Sequence, residues 1–144
     1  MKRAILILVA LAILLPVRAA AQAPSLDAFV ATVARHWAAG DASALVELAP
    51  GDGRILLALG NDEAGAVQER HVAAALRDLF RDQETVSARP TQVKRSEGDA
   101  QRGFGELSWV SRPRGVTRPV TATVYVGAVY ERNAWRIREL RVLR

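Results

Sequence analysis

Two histidines, a scatter of carboxylates and a run of arginines in the C-terminal half are the groups in these 144 residues that could do chemistry. Proton transfer would need an inward carboxylate or imidazole, with a donor such as a tyrosine hydroxyl to hold the charge that develops. Glu106 is the best general-base candidate if it points inward. It shares a strand face with Phe104, Ser108 and Val110, but Leu107 and Trp109 make the alternate face equally apolar, so the alternation leaves its side open. Asp78 is the other carboxylate with a claim to an inward position, on a helix. His36 follows the first helical stripe at its edge beside Trp37, and its plainer reading is a half-exposed boundary residue; His71, ahead of Val72, is placed the same way. Asp41 is better explained as a helix cap than as a catalyst.

Metal chemistry has no support in the pattern: there is no HExxH, no His-x-His and no carboxylate pair at ligand spacing. The segment Gly51 to Gly60 lacks the third glycine of a dinucleotide loop and reads as a turn. Neither a metal nor another cofactor is expected. With 0 cysteines, disulfides, thiolate sites, a cysteine nucleophile and a lipoprotein anchor are all excluded.

The arginines form the second constellation. Arg136 and Arg141 fall on one face of the last strand, Arg138 at an irregularity in it, and Arg112, Arg114 and Arg118 in the connection before it. They could bind an anionic glycan, a lipid headgroup or an acidic partner. A solvated face that resists edge-to-edge association is the plainer explanation.

Stepping along the chain, Met1-Lys2-Arg3 precedes an unbroken apolar run from Ala4 to Leu15, and Ala19-Ala20-Ala21 supplies small residues before Gln22. This is the pattern of a secretory signal peptide spanning residues 1–21. The run would rise only about 18 Å as a helix, against roughly 30 Å of bilayer core, so a membrane anchor is disfavoured. The expected mature chain, 22–144, is one domain, exported to a periplasm or secreted, with no membrane span. Removing the leader takes three bases and no acid, which lowers the net charge from +5 to +2. Export and the lack of a basic tract both argue against nucleic acid, which leaves a small molecule or an envelope protein as the expected partner. The charge is divided: residues 22–88 carry 5 bases and 10 acids, and residues 89–144 carry 12 bases and 5 acids.

The elements that must position these groups begin with helices. Ser25 caps a helix with Leu26, Phe29, Val30, Val33 and Trp37 at helical spacing, and Gly40 ends it. Asp41 opens a short second helix through Leu48. Pro50-Gly51-Asp52-Gly53 breaks the chain before an extended run from Ile55 to Leu59. A third helix is expected from about Ala66 to Arg81, with Val72, Ala75, Leu76, Leu79 and Phe80 on its buried stripe. The period then changes to two, with strands near Val86–Arg95, Arg102–Ser111, Val120–Glu131 and Ala134–Leu143. The class is α+β, with N-terminal helices packed on a curved antiparallel meander.

The last hairpin can be read in register. A two-residue turn at Arg132-Asn133 sets Tyr130 opposite Trp135 and Ala128 opposite Ile137. The step of three from Ile137 to Leu140 then requires an extra residue, and a bulge of Arg138 and Glu139 opposite Gly127 places Leu140 by Val126 and Val142 by Val124. The outer face of that hairpin carries Thr121, Thr123, Tyr125, Val129, Arg136 and Arg141.

The segments Ala38–Leu48, Val72–Phe80 and Ala134–Leu143, in this order, resemble the nuclear transport factor 2-like, or cystatin-like, fold, in particular small exported bacterial domains of unknown function. The resemblance implies helices covering a bent sheet as a cone that can hold a small molecule. Trp37, Phe80, Trp109 and Tyr130 are then the expected ligand-binding side chains. Proteins of this fold include ketosteroid isomerase-like enzymes, dehydratases and many non-catalytic modules, and often pair through the outer sheet face; Tyr125, Arg136, Arg138 and Arg141 would form that face here. A non-catalytic domain binding a small ligand or a protein is the first expectation, with a possible homodimer. A cofactor-free enzyme and a structural docking module are the alternatives. A cone plugged by Trp37, Phe80, Trp109 and Trp135 would argue against the enzyme.

Overall fold

The computed structural model describes residues 24–60 and 63–144; the leader and its cleavage point lie outside the described residues. Helix α1 (Leu26–Ala38) starts where the Ser25 hydroxyl accepts the Ala28 N–H at 3.2 Å. It stops at Gly40, whose φ of 65° lets the Gly40 N–H reach the Trp37 carbonyl and the Asp41 N–H reach the His36 carbonyl. Asp41 then caps α2 (Ala42–Val46), accepting from the Ala44 N–H at 3.0 Å. This second helix is shorter than the expected span to Leu48. Over its last turn the chain tightens to bonds between Leu48 and Leu45 and between Ala49 and Val46, which frees the Leu48 carbonyl to accept the Ile137 N–H at 2.7 Å.

Strand β1 (Arg54–Ala58) follows, and β2 (Gly65–Gln68) pairs back on it antiparallel, with Ile55 opposite Val67. The third helix therefore does not begin at Ala66. Residues 65–68 fit either period, and the open edge of β1 captures them as a strand; α3 (Glu69–Asp82) starts only after it. Gln83 both ends α3 and begins β3 (Gln83–Ser96), so no linker separates helix from sheet. Then come β4 (Asp99–Pro113), β5 (Val120–Glu131) and β6 (Ala134–Leu143).

The sheet has the order β2-β1-β6-β5-β4-β3. Strands β3 to β6 form the expected antiparallel meander, but β1 joins β6 in parallel, with Leu57 beside Leu140, so the whole sheet is mixed. Register shifts at Thr85/Ser87 and Pro90/Gln92 bend the β3–β4 ribbon, and Pro90 is tolerated because β3 is an edge strand. The β5–β6 register matches the sequence reading: Tyr130 faces Trp135, Ala128 faces Ile137, Leu140 lies by Val126, and the irregularity falls at Gly127. Arg132 and Asn133 take φ of 49° and 62° in the connecting turn.

Helix α1 lies along β3 and comes close to β4 at two glycines. A Cβ at Gly103 would stand 2.5 Å from a Leu26 methyl, and one at Gly105 would stand 2.6 Å from both Val30 methyls. Those two glycines let the helix backbone approach the sheet, and Val33, Leu45, Ile55, Leu76, Leu107, Val124, Ile137 and Leu140 fill the space between the layers with no exposure.

Candidate functional site

Where α1 ends, three aromatic rings meet. Trp37 packs edge-on against Phe80, with centroids 5.2 Å apart, and edge-on against Trp109 at 5.4 Å. Trp37 is 0 % exposed and Trp109 1 %. Phe80 lies against Gly40, so the glycine that ends α1 also makes room for the ring. The Trp109 indole N–H donates to the Thr85 hydroxyl at 2.9 Å, while that of Trp37 has no acceptor among the described residues. Of the side chains expected at a ligand, Trp37 is spent wholly on the core, whereas the half-buried Phe80 and the edge of Trp109 each border a groove, of about 210 and 270 Å3. Trp135 is not part of this plug. It sits with Tyr130 at the other end of α1.

The acid–base candidates are not brought together. Glu106 lies on the outer face, opposite Tyr125 in register, because Leu107 and Trp109 take the buried phase of β4. Asp78 is exposed on α3 and pairs with Arg81 at 3.1 Å. His36 is half-buried at the edge of α1, and His71 is exposed beside Arg70. Among the described residues there is no cluster of three or more groups that could hold a metal ion.

On the outer face Tyr125 is half-buried. It stacks on Phe104 with centroids 5.5 Å apart and an interplanar angle of 21°. Phe104 was not singled out by sequence reasoning; the available signal is Gly127, which stands opposite Phe104 and leaves the space the rings share. Burial pushes the Tyr125 phenol up, helped by the carboxylates of Glu139 and Glu106 and opposed by Arg141. Arg141 pairs with Glu139, and Leu143 continues the patch at 50 % exposure.

The arginines expected beside Tyr125 divide. Arg138 reaches Asp52 at 2.9 Å and the Arg54 carbonyl at 3.3 Å, and Arg136 turns to the Glu47 carbonyl at 3.5 Å. Both tie the chain between α2 and β1 to the edge of β6. The Glu131 carboxylate completes the fastening by accepting the Gly51 N–H at 2.6 Å. Bonds from the Arg54 N–H and from Arg138 hold the Asp52 carboxyl below its usual range. Of the expected interaction residues, Tyr125 and Arg141 remain together on the outer face, and Arg138, though tied to Asp52, still borders a groove of about 200 Å3 with Tyr125.

At the start of α1 the arrangement is open. Pro24, Ser25, Arg95, Ala100, Gln101, Tyr130 and Trp135 line a groove of about 460 Å3. Tyr130 meets Trp135 at 5.3 Å and 65°, and the Arg95 guanidinium lies 5.8 Å over the Trp135 ring. Tyr130 was expected at a ligand and does line a groove. Arg95 and Gln101 were not foreseen, because only the pairing of the two hairpins sets their tips side by side.

No protein-family model matches the sequence, and no curated protein matches it. Solved structures do. A DUF4783 family protein from Bacteroides uniformis superposes with a TM-score of 0.66 at 12% identity, covering 79% of this chain and 94% of that one. Another from Bacteroides ovatus gives 0.64 at 12% identity, covering 78% and 91%. A protein with a ketosteroid isomerase-like fold from Catenulispora acidiphila, in complex with trimethylamine, gives 0.61 at 12% identity, covering 85% and 87%. At such identities the likeness speaks for the fold. The chain has the nuclear transport factor 2-like, ketosteroid isomerase-like α+β fold, as the resemblance implied.

Proposed function

We propose that this chain is an exported, non-catalytic binding domain that works through its outer sheet face by pairing with a second copy of itself. The observation that carries the reading is the plug of Trp37, Phe80 and Trp109, which occupies the ground a reacting substrate would need. The candidate acids Glu106 and Asp78 face the outer side and solvent, where water competes for any proton. The outer face is then the surface with interface character: a stacked aromatic pair, the apolar Leu143 and charges of both signs. Glu139 pairs with Arg141 and lines a groove with Arg102, and Glu106 stands opposite Tyr125, so a two-fold related copy can set acids against bases around a Tyr125–Phe104 centre. Export rests on the leader pattern of residues 1–21.

Native mass spectrometry of the protein purified from an exporting host tests the reading. A mass starting at Gln22 and twice the single-chain value is expected, and Tyr125→Glu is expected to return the protein to a single chain with unchanged circular dichroism. A wild-type protein that stays a single chain at about 100 μM, a concentration at which even weak pairs form, overturns the pairing. Retention of residues 1–21 overturns export.

A further inference from the structure

The groove at the start of α1 lies apart from the face proposed for pairing, and its chemistry is more specific. Its floor is the half-buried Tyr130 beside Trp135, which is itself 5 % exposed, and its walls are the tips of the β3–β4 and β5–β6 hairpins together with Pro24 and Ser25. Among the described residues, Arg95 is the one charged side chain in the lining. The two acids of its own hairpin tip are engaged elsewhere, Glu97 by Lys94 at 3.8 Å and Asp99 by Arg102 at 3.5 Å. Arg95 therefore has no carboxylate within 4.0 Å among the described residues, and its guanidinium is set over the Trp135 ring. A stacked guanidinium keeps its planar fork of donors, so less freedom is lost when it takes up a carboxylate.

The rest of the lining adds polar groups around an aromatic floor. The Ser25 oxygen already accepts the Ala28 N–H, which leaves its hydroxyl hydrogen to donate. The Gln101 side-chain amide and the Tyr130 hydroxyl have no bond among the described residues and supply both donors and acceptors. A volume of about 460 Å3 seats one or two rings of a short chain-like ligand. One cation is too few for a membrane surface or a nucleic-acid backbone, each of which is held by several bases at once.

We propose that this groove binds an acidic sugar, with the apolar face of the sugar ring on Tyr130, its carboxylate on the Arg95 guanidinium that Trp135 supports, and its hydroxyls on Gln101 and Ser25. The matched features are a ring-sized apolar floor, a single unpaired cation and a rim of neutral hydrogen-bonding groups. Each part of the ligand then meets a group that would otherwise be left to water.

The three tryptophans make the test local. The 15N-labelled protein is titrated with trigalacturonate, and the indole N–H signals are followed. The Trp135 signal is expected to shift saturably while those of Trp37 and Trp109, in the core near the far end of α1, stay in place. Arg95→Gln is expected to weaken binding at least tenfold, or about 1.4 kcal/mol. Tyr130→Ala is expected to weaken it without abolishing the preference for the acid, and the spectrum of each variant reports whether it has folded. No saturable shift by about 10 mM trigalacturonate overturns the proposal, since binding that weak would lie below about 3 kcal/mol. Equal binding of neutral maltotriose, or equal binding of Arg95→Gln, overturns the role of the cation. A matching shift with inorganic sulfate at the same concentration overturns the sugar. None of these outcomes depends on whether the chain pairs.

Discussion

Each end of α1 carries an edge-on aromatic pair, and what covers each pair differs. At the far end Trp37 is sealed, with no exposure, by the half-buried Phe80, by Trp109 and by the helix stripe. At the near end Tyr130 and Trp135 meet at almost the same separation; Trp135 is buried at 5 % exposure under a guanidinium, but Tyr130 is half-buried and turns to a groove. The same ring geometry therefore serves packing in one place and presents a surface in the other. Neighbouring fastenings follow the same division. The sealed end is held by apolar contact, whereas the side of the sheet running to the β5–β6 tip is tied to the preceding loop by Glu131, Arg136 and Arg138.

The sharpest way to break this contrast is to truncate a ring at each end. Trp109→Ala removes a side chain that is 1 % exposed and leaves Trp37 facing a void and Thr85 without its donor, at a cost of about 3–5 kcal/mol. Tyr130→Ala removes a ring already partly in water, and about 1–2 kcal/mol is expected from the smaller area lost. Urea unfolding of both variants measures the difference. Equal costs would mean that the groove end is as much core as the plug.

A smaller effect sharpens the account of how α1 reaches the plug. Gly105→Ala places a methyl group 2.6 Å from the branched end of Val30, deep under a rigid helix, so about 1–3 kcal/mol of destabilisation is expected. The companion change Val30→Ala in the same chain should recover part of it, because the clash is with that side chain. A Gly105→Ala protein as stable as the parent would show that α1 can lift off β4 without loss.

Much of this was legible in the sequence where one period dominates. The β5–β6 register follows from alternation, a turn residue that tolerates positive φ and a phase slip that only an inserted residue can repair; all three are local. The first helix and its glycine stop were legible for the same reason. What escaped depends on partners distant in the chain. Residues 65–68 became a strand because β1 offers an edge, and β1 lies parallel to β6 across more than eighty residues. Glu106 could not be assigned a side, since both faces of β4 carry large apolar groups and α1 decides which is covered. Arg138 read as a surface cation, yet Asp52, in a turn far upstream, claims it.

That last pair provides the smallest effect and the only one that separates the two regions by pH. The Asp52 carboxyl is held below its ordinary value of 3.8, chiefly by the Arg54 N–H and then by Arg138. A carboxyl lowered in the folded state contributes stability that is complete above the unfolded value and is lost as pH falls through the folded one. The fastening between the loop and β6 is therefore expected to weaken below about pH 4, while the apolar plug, which has no titrating group, does not respond. Both ends of the pair are solvent-exposed, so water and salt screen the effect and its size is modest. The measurement is the urea midpoint of the parent and of Asp52→Asn from pH 7 to pH 3. The parent should lose more stability over that range than the variant, and the gap between them should narrow in about 1 M salt, where screening reaches within a few ångströms. Parallel curves would show that Arg138 does as well with the Arg54 carbonyl alone, and that this side of the sheet is held, like the other end, by packing.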